Sequence, residues 1–183
     1  MNPKFKKFKL NGINALTIYE YDDKLKDLIY QLKGCKDIEL SSIFLSPFLI
    51  ELKIQFFNYV IVLAPSFFKD NEERGFNHVN EIFKYLNLKI YDCLIKTEKH
   101  KQAEQNFIDR HKIKEFIKFS SRFNLEGKKI LLVDDVCTTG STLVACSEIL
   151  KKQKIRSIKI LVISKRELSK EEKAEIKDPN LII

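Results

Sequence analysis

The pattern of apolar and polar residues predicts strands that alternate with amphipathic helices. The helical spacing i, i+3, i+4, i+7 occurs in residues 25–32 and again in 79–86, and Gly34 is placed to end the first helix. Residues 38–54 are mostly apolar and predict a helix in two pieces, because Pro47 cannot lie inside a helix without a kink. Apolar runs predict buried strands at residues 14–20, 59–64, 130–134 and 158–163. This alternation predicts an α/β fold, a parallel β-sheet flanked by helices.

The chain shows no sign of a second domain. It has 183 residues and contains no internal repeat, low-complexity tract or Gly/Ser-rich linker. We therefore expect one domain over residues 1–183. Its parts would be an N-terminal strand and helical part at 1–56, a core at 57–165 and a charged tail at 166–183.

The composition indicates a soluble globular protein, with 44% hydrophobic and 32% charged residues. No segment approaches the roughly 18 uninterrupted apolar residues of a membrane helix. The first nine residues are charged but lack the apolar core of a secretory signal. The sequence thus predicts a cytoplasmic protein without membrane insertion. Its four cysteines form no Cys-x-x-Cys pair, which argues against a zinc ribbon or a disulfide framework.

The formal net charge of +8 raises the question of nucleic-acid binding. General lysine enrichment, of the kind an AT-rich genome produces, explains much of this charge. The strongest local pattern is residues 4–9, Lys-Phe-Lys-Lys-Phe-Lys, which could hold a single strand through charge and stacking. An amphipathic edge strand explains the same residues equally well. We expect any binding of single-stranded DNA to be weak.

Residues 130–142 carry the clearest chemical signal, with the sequence Ile-Leu-Leu-Val-Asp-Asp-Val-Cys-Thr-Thr-Gly-Ser-Thr. Four apolar residues predict a central strand buried on both faces, which ends at Asp134 and Asp135. Open α/β sheets place ligands at such strand ends. The following loop offers backbone amides, hydroxyls and a helix N-terminus, which together suit an anion. Two acids beside a phosphate cradle suggest a sugar phosphate as the ligand.

This segment resembles the phosphoribosyl-pyrophosphate (PRPP) motif of type I phosphoribosyltransferases at all thirteen positions. By that resemblance, Asp134 and Asp135 would hold the ribose 2′- and 3′-hydroxyls as catalytic residues. The 5′-phosphate and its surroundings would be lined by Val136, Cys137, Thr138, Thr139, Gly140, Ser141 and Thr142. We regard Cys137 as part of the loop wall rather than as a nucleophile, although phosphate-binding amides beside a thiol could lower its pKa.

Three further segments are similar to ComF-type phosphoribosyltransferase-like proteins, which are linked to competence for DNA uptake. They are an early helix that ends at Lys33, the run Leu-Ala-Pro at 63–65 followed by Arg-Gly-Phe-Asn at 74–77, and a polar stretch over 96–110. The resemblance covers about residues 21 to 165. The chain departs from the family in lacking the N-terminal four-cysteine zinc module, so no protein-bound metal is predicted.

The same resemblance assigns further roles around the pyrophosphate. Pro65 and Ser66 would form a loop that holds it, and Arg74 would be a planar donor to its oxygens. A mobile hood over the pyrophosphate is implied for Lys99, His100, Lys101 and Arg110. A solvated loop explains these four residues as well. We interpret His78 as a surface or helix-capping histidine.

The resemblance implies transfer of a phosphoribosyl group from PRPP to a nitrogen acceptor, with Mg²⁺ carried mainly by the substrate. Charge stabilisation and positioning would dominate such a reaction. Two alternatives stay open. The chain could bind PRPP or a nucleoside monophosphate without catalysis, as a partner of DNA-uptake proteins, or it could bind nucleic acid.

Overall fold

The computed structural model describes residues 3–65, 75–96 and 116–167. Six strands form one sheet in the spatial order β1-β2-β8-β7-β3-β4. Their bounds are Pro3–Leu10 (β1), Ile13–Glu20 (β2), Tyr59–Leu63 (β3), Ile90–Tyr91 (β4), Lys129–Cys137 (β7) and Ser157–Lys165 (β8). Only the β1–β2 pair is antiparallel, and the other neighbours are parallel. A separate antiparallel pair consists of Leu94–Lys96 (β5) and Ile117–Phe119 (β6).

The described helices are α1 (Asp23–Gly34), α2 (Leu49–Phe56), α3 (His78–Phe83) and α4 (Ser141–Lys151). Short 3₁₀ segments occupy Ile38–Phe44, Ser46–Phe48 and Lys84–Leu86. No helix in the described ranges is long and apolar enough to span a bilayer.

Two apolar clusters cover the two faces of the sheet. The first contains Leu131 and Val133 of β7 together with buried residues of α1, α2 and α3. The second contains Ile130 and Leu132 with buried residues of α4, β5 and β6. All four β7 side chains are fully buried. Because successive strand residues point to opposite faces, β7 supplies alternate side chains to both clusters. This is the environment that a continuous apolar run predicts.

The predicted fold class and the principal predicted strands are confirmed, with two corrections. Residues 38–54 are mainly 3₁₀ turns, and an α-helix begins only at Leu49, just after Pro47. Strand β7 does not end at Asp134 but continues to Cys137, because Asp134, Val136 and Cys137 keep their pairing with β8. The short strands β4, β5 and β6 were not predicted, since two or three residues carry too little periodicity.

The Lys-Phe pattern at the N-terminus forms edge strand β1, as the structural alternative predicted. Phe5 and Phe8 are three residues apart and lie on opposite faces. The Phe5 ring meets Phe48 edge-on at 4.6 Å between centroids, and Phe8 packs against the second cluster below the Lys165 amine. Both rings are therefore engaged in packing, which leaves less of their surface for stacking on bases.

Candidate functional site at the carboxyl end of β7

The site is built where β7 passes into α4. Residues 138–140 connect the two elements, and Gly140 is the N-cap of α4 with φ +77°. That left-handed conformation strongly favours glycine. A Cβ at this position would also lie 2.6 Å from Leu10 Cδ1. The sequence Thr-Thr-Gly therefore turns the chain sharply, so that the N-terminus of α4 opens at the end of the strand.

The loop presents several hydroxyls close together. Thr138 and Thr139 are exposed, whereas Ser141 and Thr142 are partly buried. The Thr139 and Ser141 hydroxyl oxygens are 2.9 Å apart, and the Ser141 amide donates to Thr139 Oγ1 at 3.3 Å. The N-cap residue, Gly140, makes no side-chain hydrogen bond to the amides of α4. Hydroxyls and uncapped helix amides are the groups that bind phosphate oxygens in other proteins.

Asp135 lies on the first-cluster side of the sheet, where Lys33 and His78 approach it. Its Oδ2 contacts the Lys33 amine, which is one-third exposed, and lies 3.5 Å from His78 Nε2. Burial by itself would raise the pKa of Asp135, but the interactions with His78 and Lys33 outweigh burial and lower the pKa. Asp135 is thus a buried carboxylate, 6% exposed, that stays ionised.

Asp134 precedes Asp135 in β7, and the two carboxyl groups interact with each other. Its charge influences the thiols of Cys137 and Cys146, both of which belong to the second cluster. The side chain is partly buried, and its Oδ1 accepts the backbone amide of Asp135 at 2.9 Å. Burial, followed by repulsion from Asp135, raises the pKa of Asp134 well above its usual value. The two neighbouring acids therefore have opposite electrostatic environments.

The interpretation of His78 was wrong, and Cys137 belongs to a different element from the one expected. His78 is not a surface residue: it is 5% exposed and begins α3, whose N-cap is Asn77. It lies four residues before Ile82, so the apolar helical spacing already placed it on the buried face. Cys137 is the last residue of β7 rather than a loop residue. Burial and then the charge of Asp134 raise the pKa of its thiol to about 11.

The Arg-Gly-Phe-Asn segment is described from Gly75 onward. Gly75 has φ +83°, and the Asn77 side chain accepts the amides of Val79 and Asn80 at 3.0 and 3.2 Å. These two residues thus set the entry into α3 and place His78 near Asp135. Sequence reasoning did not assign Lys33 to the site, although it noted a lysine at the end of α1.

The remaining predicted site residues divide into two groups. Pro65 is buried and lies two residues after the end of β3, which pairs with β7. Val136 is partly buried and packs against the first cluster. Six predicted residues lie outside the described ranges, namely Ser66, Arg74, Lys99, His100, Lys101 and Arg110.

A cleft of about 480 Å³ lies at the carboxyl ends of β2 and β8. Lys165 and Arg166 form part of its wall, and the Arg166 amide donates to the Cys137 carbonyl at 2.9 Å. The other lining residues are Lys6, Thr17, Tyr19, Glu20, Tyr21, Asp22 and Glu167. The volume is within the range of small-molecule sites.

Within the described ranges, no group of three or more His, Cys, Asp or Glu side chains is arranged to hold a metal ion. Asp134, near the carboxyl end of β7, is a partly buried carboxylate. One carboxylate is enough for a magnesium ion that arrives with substrate phosphates and keeps several waters.

Comparison with known proteins identifies the family. The phosphoribosyl transferase domain family matches residues 72–180. The competence protein ComFC of Bacillus subtilis is 30% identical over 145 residues, which are 78% of this chain and 60% of that protein. The DNA utilization protein YhgH of Escherichia coli is 26% identical over 157 residues, covering 79% of this chain and 69% of that protein.

One solved structure that the chain matches is a hypoxanthine phosphoribosyltransferase from Staphylococcus aureus. It shares 15% identity, with coverage of 73% of this chain and 76% of that one, at a TM-score of 0.41. The chain spans about 60% of the length of the Bacillus protein. The match to the family over residues 72–180 and the curated relatives establish that this chain belongs to the phosphoribosyl transferase domain family and is a ComF-type, phosphoribosyltransferase-like protein.

Proposed function

We propose that the chain binds PRPP or a nucleoside 5′-monophosphate at the carboxyl end of β7. The observation that carries the proposal is that the strand containing Asp134 leads directly into the hydroxyl-rich loop and the N-terminus of α4. The loop would take the 5′-phosphate, and a carboxylate beside it would accept hydrogen bonds from ribose hydroxyls. Membership of the phosphoribosyl transferase domain family supports this ligand class.

With PRPP bound, the proposed reaction is transfer of the phosphoribosyl group to a nitrogen acceptor. Magnesium would supply charge neutralisation on the pyrophosphate. Arg74 would assist there, with Pro65 and Ser66 in the loop that holds the pyrophosphate and with Lys99, His100, Lys101 and Arg110 in a hood. The cleft at the carboxyl ends of β2 and β8 is large enough to admit an acceptor. A cytoplasmic location is part of the same proposal.

A second candidate is a PRPP- or nucleotide-binding protein without transferase activity that acts with partners in DNA uptake. The names of the relatives, a competence protein and a DNA utilization protein, favour it. In this version the same site binds ligand, but no acceptor is consumed. Binding of single-stranded DNA would be weak, because both β1 phenylalanines are packed.

Calorimetric titration with PRPP plus Mg²⁺, and separately with AMP, tests the proposal. Asp134→Asn should weaken both ligands by about ten- to a hundredfold, because each lost hydrogen bond to a charged group is worth about 1.5–3 kcal/mol. Exposed Asp27 provides the matched control, and Asp27→Asn should bind as the parent protein does. If the parent protein binds neither ligand, the proposed site is wrong.

Arg74→Ala separates pyrophosphate contacts from contacts shared by both ligands. It should weaken PRPP much more than AMP, because AMP lacks the pyrophosphate group. Equal weakening of both would mean that Arg74 acts on the fold or on the 5′-phosphate. Release of pyrophosphate with a panel of nitrogen acceptors then distinguishes a transferase from a binding protein.

The nucleic-acid alternative has its own test. Single-stranded DNA should bind weakly and with a steep loss of affinity as salt rises, since the salt slope counts neutralised phosphates. Removal of residues 1–9 should reduce that binding. Tight DNA binding at physiological salt, together with no heat from PRPP and Mg²⁺, would replace the proposed function with the nucleic-acid function.

A further inference from the structure

The glycine of the hydroxyl-rich loop (residues 138–142) packs against the N-terminal hairpin formed by β1 and β2. Gly140 has φ +77°, and the space that a Cβ would need there is occupied by Leu10, the last residue of β1. The Leu10 Cδ1 and Cδ2 atoms lie 2.6 and 3.0 Å from that Cβ position, and Cys137 Sγ lies 3.4 Å from it. The turn of the loop is therefore in contact with a strand from the beginning of the chain.

A second side chain of β1 reaches the same end of the sheet. Phe8 lies two residues before Leu10, so the two side chains share a face of the strand. Both are partly buried and pack against the second cluster, to which α4 also contributes. The Lys165 amine lies 4.7 Å from the centre of the Phe8 ring, and Lys165 pairs with Cys137 in the sheet. This face of β1 thus contacts the ends of both β7 and β8.

The contact matters because glycine by itself does little to fix a turn. Glycine has more backbone freedom than any other residue, and folding must remove that freedom. A phosphate site needs its amides and hydroxyls held in fixed directions, since a loop that must be ordered on binding lowers the affinity. The Leu10 methyl groups fill the space beside Gly140. Removing them would leave a gap next to the backbone that turns into α4.

We propose that Leu10 is a positioning residue, which holds Gly140 and thereby the hydroxyl-rich loop in the conformation that binds a 5′-phosphate. The proposal rests on the ribose-phosphate site proposed above. It makes the N-terminal hairpin part of that site, although the match to the family begins only at residue 72. Leu10 acts through the loop and not on the ligand, so it affects every ligand with a 5′-phosphate equally.

Calorimetric titration of Leu10→Ala with PRPP plus Mg²⁺, and separately with AMP, tests the proposal. The affinity should fall about two- to thirtyfold, the range for residues that influence a site without touching its ligand. The loss should be the same for both ligands, because both carry the 5′-phosphate. Leu10→Met refills most of the lost volume and should restore the affinity. Unchanged affinity in Leu10→Ala, or a loss confined to PRPP, would overturn the proposal.

Ile158→Ala is the matched control for general destabilisation. Ile158 is also partly buried and packs against the second cluster, but it lies near the start of β8, at the opposite end of the sheet. Both variants should lower Tm by about 2–8 °C, since each removes a partly buried apolar side chain. Only Leu10→Ala should lose affinity, and an equal loss in Ile158→Ala would contradict a specific role. If Leu10→Ala does not fold, Leu10→Val gives the same comparison with a smaller truncation.

A spectroscopic signature reports the loop without any ligand. The backbone amide ¹H–¹⁵N resonance of Gly140 should shift in Leu10→Ala, return in Leu10→Met and stay in place in Ile158→Ala. A Gly140 resonance that does not respond to Leu10→Ala would contradict the proposed contact. If the parent protein binds neither PRPP nor AMP, the proposed function fails, while this resonance still decides whether Leu10 sets the conformation of the loop.

Discussion

The two neighbouring acids at the carboxyl end of β7 have the same side chain, but their electrostatic environments differ. On one face Asp135 is enclosed by Lys33 and His78, and its pKa is lowered. For Asp134, burial and the neighbouring charge of Asp135 outweigh the influence of Lys33, and its pKa is raised. The residues are chemically identical and adjacent. The difference shows that the groups packed around the strand end, and not the acids themselves, set the pKa of each carboxyl group.

Upstream in the same strand the two faces are alike. Leu131 on the first face and Leu132 on the second are both fully buried in large clusters. The asymmetry is therefore confined to the strand end, where apolar packing gives way to polar groups. This is the usual place for ligands in an open α/β sheet.

The largest effect should come from core truncation, which tests whether both faces are equally packed. Leu131→Ala and Leu132→Ala should each destabilise the fold by about 2–5 kcal/mol in urea denaturation. Ile54→Ala serves as a control, because Ile54 is 73% exposed and should cost little. A much smaller loss for Leu132→Ala would mean that α4 packs less tightly than the helices opposite.

The next effect is the loss of stability at acid pH that follows from the lowered pKa of Asp135. The folded-state pKa of Asp135 is lowered, so its contribution to stability is present above the unfolded pKa near 4 and is lost as pH falls through the folded value. In urea denaturation from pH 7 to pH 3, the free energy of unfolding of the parent protein should fall relative to that of Asp135→Asn. The fall should be about 1.4 kcal/mol per unit of pKa difference. A constant difference across this range would contradict the pKa assignment.

The contribution of Asp134 to the pH dependence of stability should have the opposite sign and a smaller magnitude. The folded-state pKa of Asp134 is raised, so its contribution is fully present below the unfolded pKa and is lost as pH rises. Asp134→Asn should therefore stabilise the protein by about 1 kcal/mol at pH 7, since it removes a partly buried like-charge repulsion. The gain should vanish near pH 4. Destabilisation at pH 7 would show that Asp134 has a favourable partner in the folded state.

The smallest effect is on thiol reactivity near Asp134. Cys35 is exposed, whereas Cys93, Cys137 and Cys146 are buried. Burial raises the pKa of Cys93 to about 12 and that of Cys137 to about 11, so little thiolate is present at pH 8. A disulfide reagent should give one fast phase, which Cys35→Ser removes. Asp134→Asn should slightly accelerate the slow phase, and a fast second thiol in the parent protein would show that the loop opens readily.

The sequence predicted the fold class and most of the sheet because its signals are local. The apolar run at residues 130–133 and the run at 59–64 could only be buried strands. The Thr-Thr-Gly turn was equally readable, since Gly140 adopts a positive φ. The resemblance over residues 130–142 then gave the family, which the comparisons confirm. The roles of the individual site residues stay predictions.

Only the tertiary structure determined which groups surround each of the two acids. The sequence placed Asp134 and Asp135 together at one strand end, but it did not show that Lys33 and His78, 102 and 57 positions before Asp135, reach the same oxygen. Local periodicity indicates which face of a helix is buried, and it could have done so for His78, but it does not indicate which atom of another element that face will meet. Ion pairs between distant segments depend on how helices cross the sheet, and that is fixed only when both apolar clusters are packed.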